Sequence, residues 1–184
     1  MNDIEYYAVV DLEATCCDDG SIRRQDTEII EVGAVLCDAS TLEIVEEFQC
    51  FVRPVRHPKL TEFCTKLTTI TQAQVDAGVT FARAVAELGR WFGHHRTLFC
   101  SWGDYDNNQF ALEARRNGVR LPFGGAHLNL KRRFSERRGE SKQHGMAAAL
   151  SLVGIRLSGT HHRGIDDARN IARLLPHCVE RATR

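Results

Sequence analysis

The chain has 184 residues, 43% of them hydrophobic, and 24 Lys+Arg balance 24 Asp+Glu. That size and apolar fraction suit one domain over residues 1–184, the zero net charge argues against indiscriminate polyanion binding, and no apolar run approaches the roughly 20 residues of a membrane span. Asp3 and Glu5 break any signal-peptide pattern, and seven cysteines without a C-x-x-C pair suggest neither a disulfide framework nor a zinc ribbon, so reduced thiols and a cytoplasmic location are expected.

In chain order, "YYAVVDLEA" (6–14), "IIEVGAVLC" (29–37) and "LEIVEEFQCFV" (42–52) are short and rich in β-branched and aromatic residues. They predict three strands in an antiparallel meander, the last two joined by the turn-like "DAST". Pro54 and Pro58 punctuate a loop. Over 80–95, Phe81, Val85, Leu88 and Phe92 recur at helical spacing behind Thr80 as N-cap. A buried strand is expected at 97–102, then a helix over about 106–117 ending near Gly118. Further helices are expected over about 127–138, 145–153 and 164–182, the last interrupted by Pro176. Strands first and then one strand among helices make an α/β domain, with helices covering a central sheet.

Acids stand at the ends of these elements. Asp11 and Glu13, two apart at the end of the first strand, project from the same face. Asp104 and Asp106 open a helix after the later strand. Asp104 reads as a cap, whereas Asp106, four before Phe110, shares a face with an apolar residue and points inward. In "THHRGIDDARNIARLL" (160–175), both His161 with Asp166 and His162 with Asp167 fit a His-x-x-x-x-Asp interval. Helical phase separates them. Asp166 lines up with Asn170, Arg173 and His177 toward water, while Asp167 lies beside the stripe of Ala168, Ile171, Leu175 and Val179. The working histidine of that interval is then His162.

Clustered carboxylates repel and raise one another's pKa, and divalent cations compensate them. Oxygen ligands suit Mg²⁺ or Mn²⁺, and two such ions about 3.5–4 Å apart can clamp the oxygens of a phosphodiester while a histidine takes a proton from the attacking water.

"DLEATC", "GDYD" and "HRGIDDARNIARLL" resemble the three motifs of the DEDDh (DnaQ-like) 3′–5′ exonucleases, and "LTEFCTKLTTITQAQVDAG" (60–78) resembles the Eri-like branch that includes histone mRNA 3′ exonucleases. The resemblance covers about residues 5 to 180. It implies an RNase H-like fold, with a mixed five-stranded sheet flanked by α-helices. It further implies that Asp11 bridges two metal ions, that Glu13 and Asp167 complete the ligation, that Asp106 serves the second ion through water, and that His162 is the general base.

For substrate, the resemblance points to Phe63 and Tyr105 against the 3′-terminal base, with Ala14 and Thr15 beside them. Phe63 has a competing reading as a core residue, and Tyr105 stands where relatives often carry Trp. Residues 1–92 hold 8 Lys+Arg and 16 Asp+Glu, and residues 93–184 reverse those counts. Within the basic half, "LKRRFSERRGESK" (130–142) offers Lys131, Arg132 and Arg133 as a phosphate track or as a solvated helix face. The expected function is a metal-dependent exonuclease on single-stranded nucleic acid, RNA favoured, releasing nucleoside 5′-monophosphates. DNA-directed exonuclease activity and a regulatory docking module on the same fold are the alternatives. The chain has no counterpart of the appended nucleic-acid-binding domains of larger Eri-like proteins, so a specific structured target is not expected; some relatives form a homodimer.

Overall fold

The computed structural model describes residues 4–93 and 95–181, and its sheet is built outward from β1, Tyr6–Ala14. Strand β1 pairs antiparallel with β2 (Ile29–Asp38), which pairs antiparallel with β3 (Ile44–Phe51). On its other side β1 runs parallel to β4 (Thr97–Ser101), and β4 runs parallel to β5 (His127–Asn129). The order is β3-β2-β1-β4-β5, a mixed five-stranded sheet. The meander and the strand at 97–102 form where their apolar composition predicts.

Alternation along β1 assigns its two faces. Tyr7 and Val9 pack with Ile165, Ala168, Ile171 and Ala172 of α7 (Gly164–Ala172), together with Phe134 of α5 (Leu130–Arg137) and Ala149 and Leu150 of α6 (Met146–Leu152). Ala8, Val10 and Leu12 pack on the opposite face with Phe81, Val85, Leu88 and Phe92 of α3 (Phe81–Phe92) and Phe110 of α4 (Tyr105–Asn117). Since period two continues past Val9, Asp11 and Glu13 emerge on the α7 side. Helix α3 starts as its capping residue dictates, with the Thr80 side chain accepting from the Arg83 N–H.

Several expectations are corrected. Residues 127–129 are strand β5, not the first turn of a helix. Asn129 ends the strand and its side chain caps α5 by accepting from the Arg132 N–H at 2.9 Å. The last helix stops at Ala172, and a 3₁₀ turn, Leu175–His177, follows with Pro176 in its first positions. Residue 182 of the expected span and residue 94 of the span 80–95 lie outside the described residues. Two short helices were not anticipated, α1 (Glu62–Thr68) and α2 (Gln72–Asp76). Each begins at a threonine cap, Thr61 or Thr71, and each is too short for an apolar period to show. All seven cysteines are free, five of them buried. No helix is long and apolar enough to cross a membrane, among the described residues.

Candidate active site

A contact between two glycines brings α7 to the acids of β1. Gly33 of β2 is the register partner of Asp11, and a Cβ added to Gly33 would lie 2.0 Å from the Gly164 carbonyl carbon. A Cβ on Gly164 would in turn lie 3.0 Å from the Asp11 carbonyl oxygen. Without side chains at these positions, the first turn of α7 rests on the sheet backbone itself. Asp167, one turn on, therefore reaches Asp11 and Glu13, and oxygens of these three carboxylates lie within 4.8 Å of one another. Glu13 and Asp167 are buried and Asp11 is half-buried.

Asp106 approaches from the other neighbour of β1. It stands in the first turn of α4, is 4% exposed, and its Oδ1 accepts from the Leu12 N–H at 3.0 Å. Helical phase thus placed Asp106 and Asp167 on the correct faces. Asp104 stands at the cap position of α4, although its side chain makes no capping bond. Asp166 is only partly open to water, its side chain 22% exposed: its Oδ2 accepts from the Thr160 N–H at 2.9 Å and its Oδ1 pairs with Arg169 at 2.9 Å. Asn170, assigned to the same polar row, is fully buried and exchanges hydrogen bonds with the Ser158 backbone. Arg173 and His177 of that row are exposed as expected, whereas Asp166 and Asn170 are covered because residues 158–162 fold back over them.

The two histidines are held differently. The His162 N–H donates to Asp167 Oδ2 at 2.9 Å, with His162 at φ 63°, a left-handed conformation that an ordinary side chain adopts only under constraint. The ring that meets Asp167 belongs to His161, with Nδ1 at 3.0 and 3.1 Å from the two carboxylate oxygens. The His162 ring stacks on that of His161, centroids 4.0 Å apart. His161, His162 and Asp167 also offer ligand atoms within 4.8 Å of one another. The sequence treats His161 only as a neighbour; its bond to Asp167 depends on the turn at residues 160–163.

Electrostatics reflect the crowding. Burial, and then the charges of Asp167, Glu31 and Asp106, push the Glu13 carboxyl up to about 8. Burial followed by Asp106, Glu13, Asp167 and Glu31 raises Asp11 well above the carboxylate range. Asp106 rises to about 6 through burial, held back by the Leu12 N–H, and Asp167 rises through burial, held back by its histidine contacts. His162 is lowered by burial and by His161.

Comparison with known proteins gives this geometry its family. An exonuclease family model matches residues 8–175. The chain belongs to the DEDDh exonuclease family. Mouse ERI1 exoribonuclease 2 is 36% identical over 92% of this chain and 28% of its own length. Mouse 3′-5′ exoribonuclease 1 is 31% identical over 92% of this chain and 52% of its own. The chain therefore spans about a quarter to a half of these curated relatives. The crystal structure of the nuclease domain of 3′hExo, a DEDDh family member bound to rAMP, superposes with a TM-score of 0.86 at 30% identity, covering 93% of this chain and 90% of that one. The fold is thus the RNase H-like fold of DEDDh exonucleases, a family that uses divalent metal ions.

The donor set fits such ions. Burial first, and then the charges of its neighbours, disfavour the ionised form of Glu13, which a cation would relieve, and oxygen-only ligands are those a hard divalent cation takes. Around the acids of this DEDDh chain, the expected substrate positions fall in different environments. Phe63, in α1, is half-buried, and Tyr105 is 37% exposed beside a surface cavity of about 330 Å³ shared with Arg24, Asn108 and Leu112. Ala14 and Thr15 are buried, and Thr15 Oγ1 already accepts from the Glu28 N–H, so that hydroxyl braces the strand end. In α5, Lys131 reaches the Gly103 turn that precedes Asp106, whereas Arg132 and Arg133 both pair with Glu136.

Sequence reading missed Glu31. It is fully buried beside the cluster and accepts from Arg163 Nε and the Gly164 N–H, each at 3.1 Å. The available signal was a single charged residue inside the otherwise apolar run of 29–37.

Proposed function

We propose that this chain is a 3′–5′ exonuclease that removes nucleoside 5′-monophosphates from the end of single-stranded nucleic acid, with RNA preferred. The observation that carries the reading is the convergence of Asp11, Glu13 and Asp167, with Asp106 and His162 alongside, at one end of β1. Asp11, Glu13 and Asp167 would hold a divalent cation and Asp106 would complete the acidic set for a second, with Mg²⁺ or Mn²⁺ as the suited cations. When bound, two such ions neutralise the carboxylates and stabilise the charge on the attacking and leaving oxygens of the phosphodiester.

The chain's own residues do the rest. His162 accepts the proton of the attacking water; burial keeps its imidazole neutral near physiological pH, the form a general base needs. Its φ of 63° and the bond from its N–H to Asp167 fix where the ring can lie. Phe63 and Tyr105 hold the terminal base by stacking, which tolerates any base. Lys131, with Arg132 and Arg133, follows the phosphates of the incoming strand. RNA is the favoured substrate because the 3′hExo nuclease domain binds rAMP and the curated relatives are exoribonucleases. Seven free thiols support a reducing, cytoplasmic setting.

The test is degradation of matched 5′-labelled single-stranded RNA and DNA oligomers with Mg²⁺ or Mn²⁺ and a chelator control. A chelator-sensitive ladder shortening from the 3′ end is expected, faster on RNA. A faster DNA ladder would make the enzyme DNA-directed. No cleavage of either strand would replace the exonuclease reading with a docking module.

A further inference from the structure

The buried pair behind the metal cluster carries a role of its own, one that rests on the exonuclease reading above. Glu31 is the register partner of Glu13 across β1 and β2, and residues so paired project side by side from one face. Like charges in that relation repel. Glu31 is 0% exposed, so water does not relieve its charge. All of its relief comes from protein: Gln49 Nε2 donates to Oε1 at 2.6 Å, while Arg163 Nε and the Gly164 N–H donate to Oε2. The Arg163 guanidinium also lies over the Phe51 ring, 5.5 Å from its centroid, and its side chain is only 19% exposed.

Arg163 is tied to the site through its backbone as well as through Glu31. It follows His162 and precedes Gly164, and its carbonyl accepts the Asp167 N–H at 2.8 Å. A buried ion pair is a poor source of stability, because desolvation offsets the attraction. Its value here is directional. We propose that Glu31 and Arg163 are positioning residues, a buried pair that pins the His162–Gly164 turn to β2 and thereby sets His162 and Asp167 against Asp11 and Glu13. The same contacts occupy both carboxylate oxygens of Glu31, so that it does not join the metal-binding carboxylates.

Arg163→Met leaves a buried charge beside Glu13, and Glu31→Gln keeps an acceptor for Gly164 while leaving Arg163 without its partner. Each is expected to lower kcat on a labelled RNA oligomer by about 10- to 100-fold, the usual effect of removing a partner one step behind a metal site, with KM little changed. Arg163→Lys should recover part of the loss. Two readouts do not depend on turnover: Mn²⁺ binding to the full chain followed by electron paramagnetic resonance, and amide hydrogen exchange of the metal-free protein. The variants should bind Mn²⁺ more weakly and lose protection over residues 160–167, with protection of the sheet unchanged.

Should a single variant fail to fold, the double variant Glu31→Gln/Arg163→Met removes both charges and keeps the site filled. Recovery of Tm without recovery of kcat or Mn²⁺ affinity supports the positioning role. Recovery of all three, or folded single variants with unchanged kcat, Mn²⁺ affinity and exchange, would overturn it. If the wild-type chain degrades no oligomer, the exonuclease reading fails, and Mn²⁺ affinity with exchange at 160–167 still decides the role of the pair.

Discussion

Glu13 sits where its ionised form is least tolerated, in a buried strand end with Asp167, Glu31 and Asp106 around it, and this has a consequence for stability. A carboxyl whose folded pKa is raised binds its proton more tightly folded than unfolded. Its contribution is therefore full below the ordinary carboxylate range and is lost as pH rises through the folded value, here about 6 for Asp106 and about 8 for Glu13. Calorimetry on chelator-treated protein should show Tm falling between about pH 5 and about pH 8.5, and Mg²⁺ should restore it at the upper end. Glu13→Gln should flatten that slope; an unaltered slope in this variant would place its cause elsewhere. At the same scale, Asp167→Asn should reduce exonuclease activity by about 100-fold or more. Asp166→Asn, which removes the charge and one of the two acceptor oxygens that meet Thr160 and Arg169, should cost about 1 kcal/mol of stability and leave most of the activity. Equal activity losses would refute the assignment. His162→Ala should lower kcat by about 10²- to 10⁴-fold, the range of a lost general base, and His161→Ala by less.

At the scale of elements, α7 decides whether the site exists. The glycines at 33 and 164 let α7 approach the backbone of the sheet more closely than side chains at those positions would allow. Gly33→Ala places a methyl group against backbone atoms, which cannot move aside as the end of a side chain can. The expected cost is about 1–3 kcal/mol, as for other overpacked sites, together with a loss of activity larger than the fall in Tm explains. Urea unfolding followed by an oligomer assay checks both. Unchanged stability would show that α7 lifts away without cost. Helix α3, by contrast, does not touch the acids, and Thr80→Ala should remove about 1 kcal/mol through its cap without changing kcat.

For the whole molecule, the basic segment over 130–142 is less free than its composition suggests. Arg132 and Arg133 share Glu136, Arg137 pairs with Glu180, and Arg138 pairs with Glu140 and lies over Phe134. Lys131 takes part in no ion pair among the described residues and lies beside the turn leading to Asp106. If α5 guides the strand, Lys131→Ala should weaken binding of a single-stranded RNA oligomer and reduce the salt slope by about 0.7, the counterion release of one phosphate contact on a single strand. Arg132→Ala and Arg133→Ala should have smaller effects, because the shared Glu136 offsets part of each charge. An unchanged slope in all three variants would exclude α5 from the track.

The strands at 6–14 and 29–37, the α3 face, and the inward turn of Asp11, Glu13, Asp106 and Asp167 were all legible in the sequence. Each follows from a local rule: period two along a strand, period 3.6 along a helix, a threonine at a helix start. What the sequence could not determine involves partners far apart in the chain. Residues 127–129 become a strand only because β4 offers an open edge, and Arg163 turns inward only because Glu31, 132 residues earlier, lies beneath it. His161 rather than His162 puts its ring on Asp167 because the turn at 160–163 takes a left-handed step at His162. Asp166 and Asn170 turn out to be structural because residues 158–162 cover the face that phase alone assigned to water. Periodicity reports which way a side chain points from its own element; what it meets there is fixed by the close approach of α7 to β2, which two glycines permit.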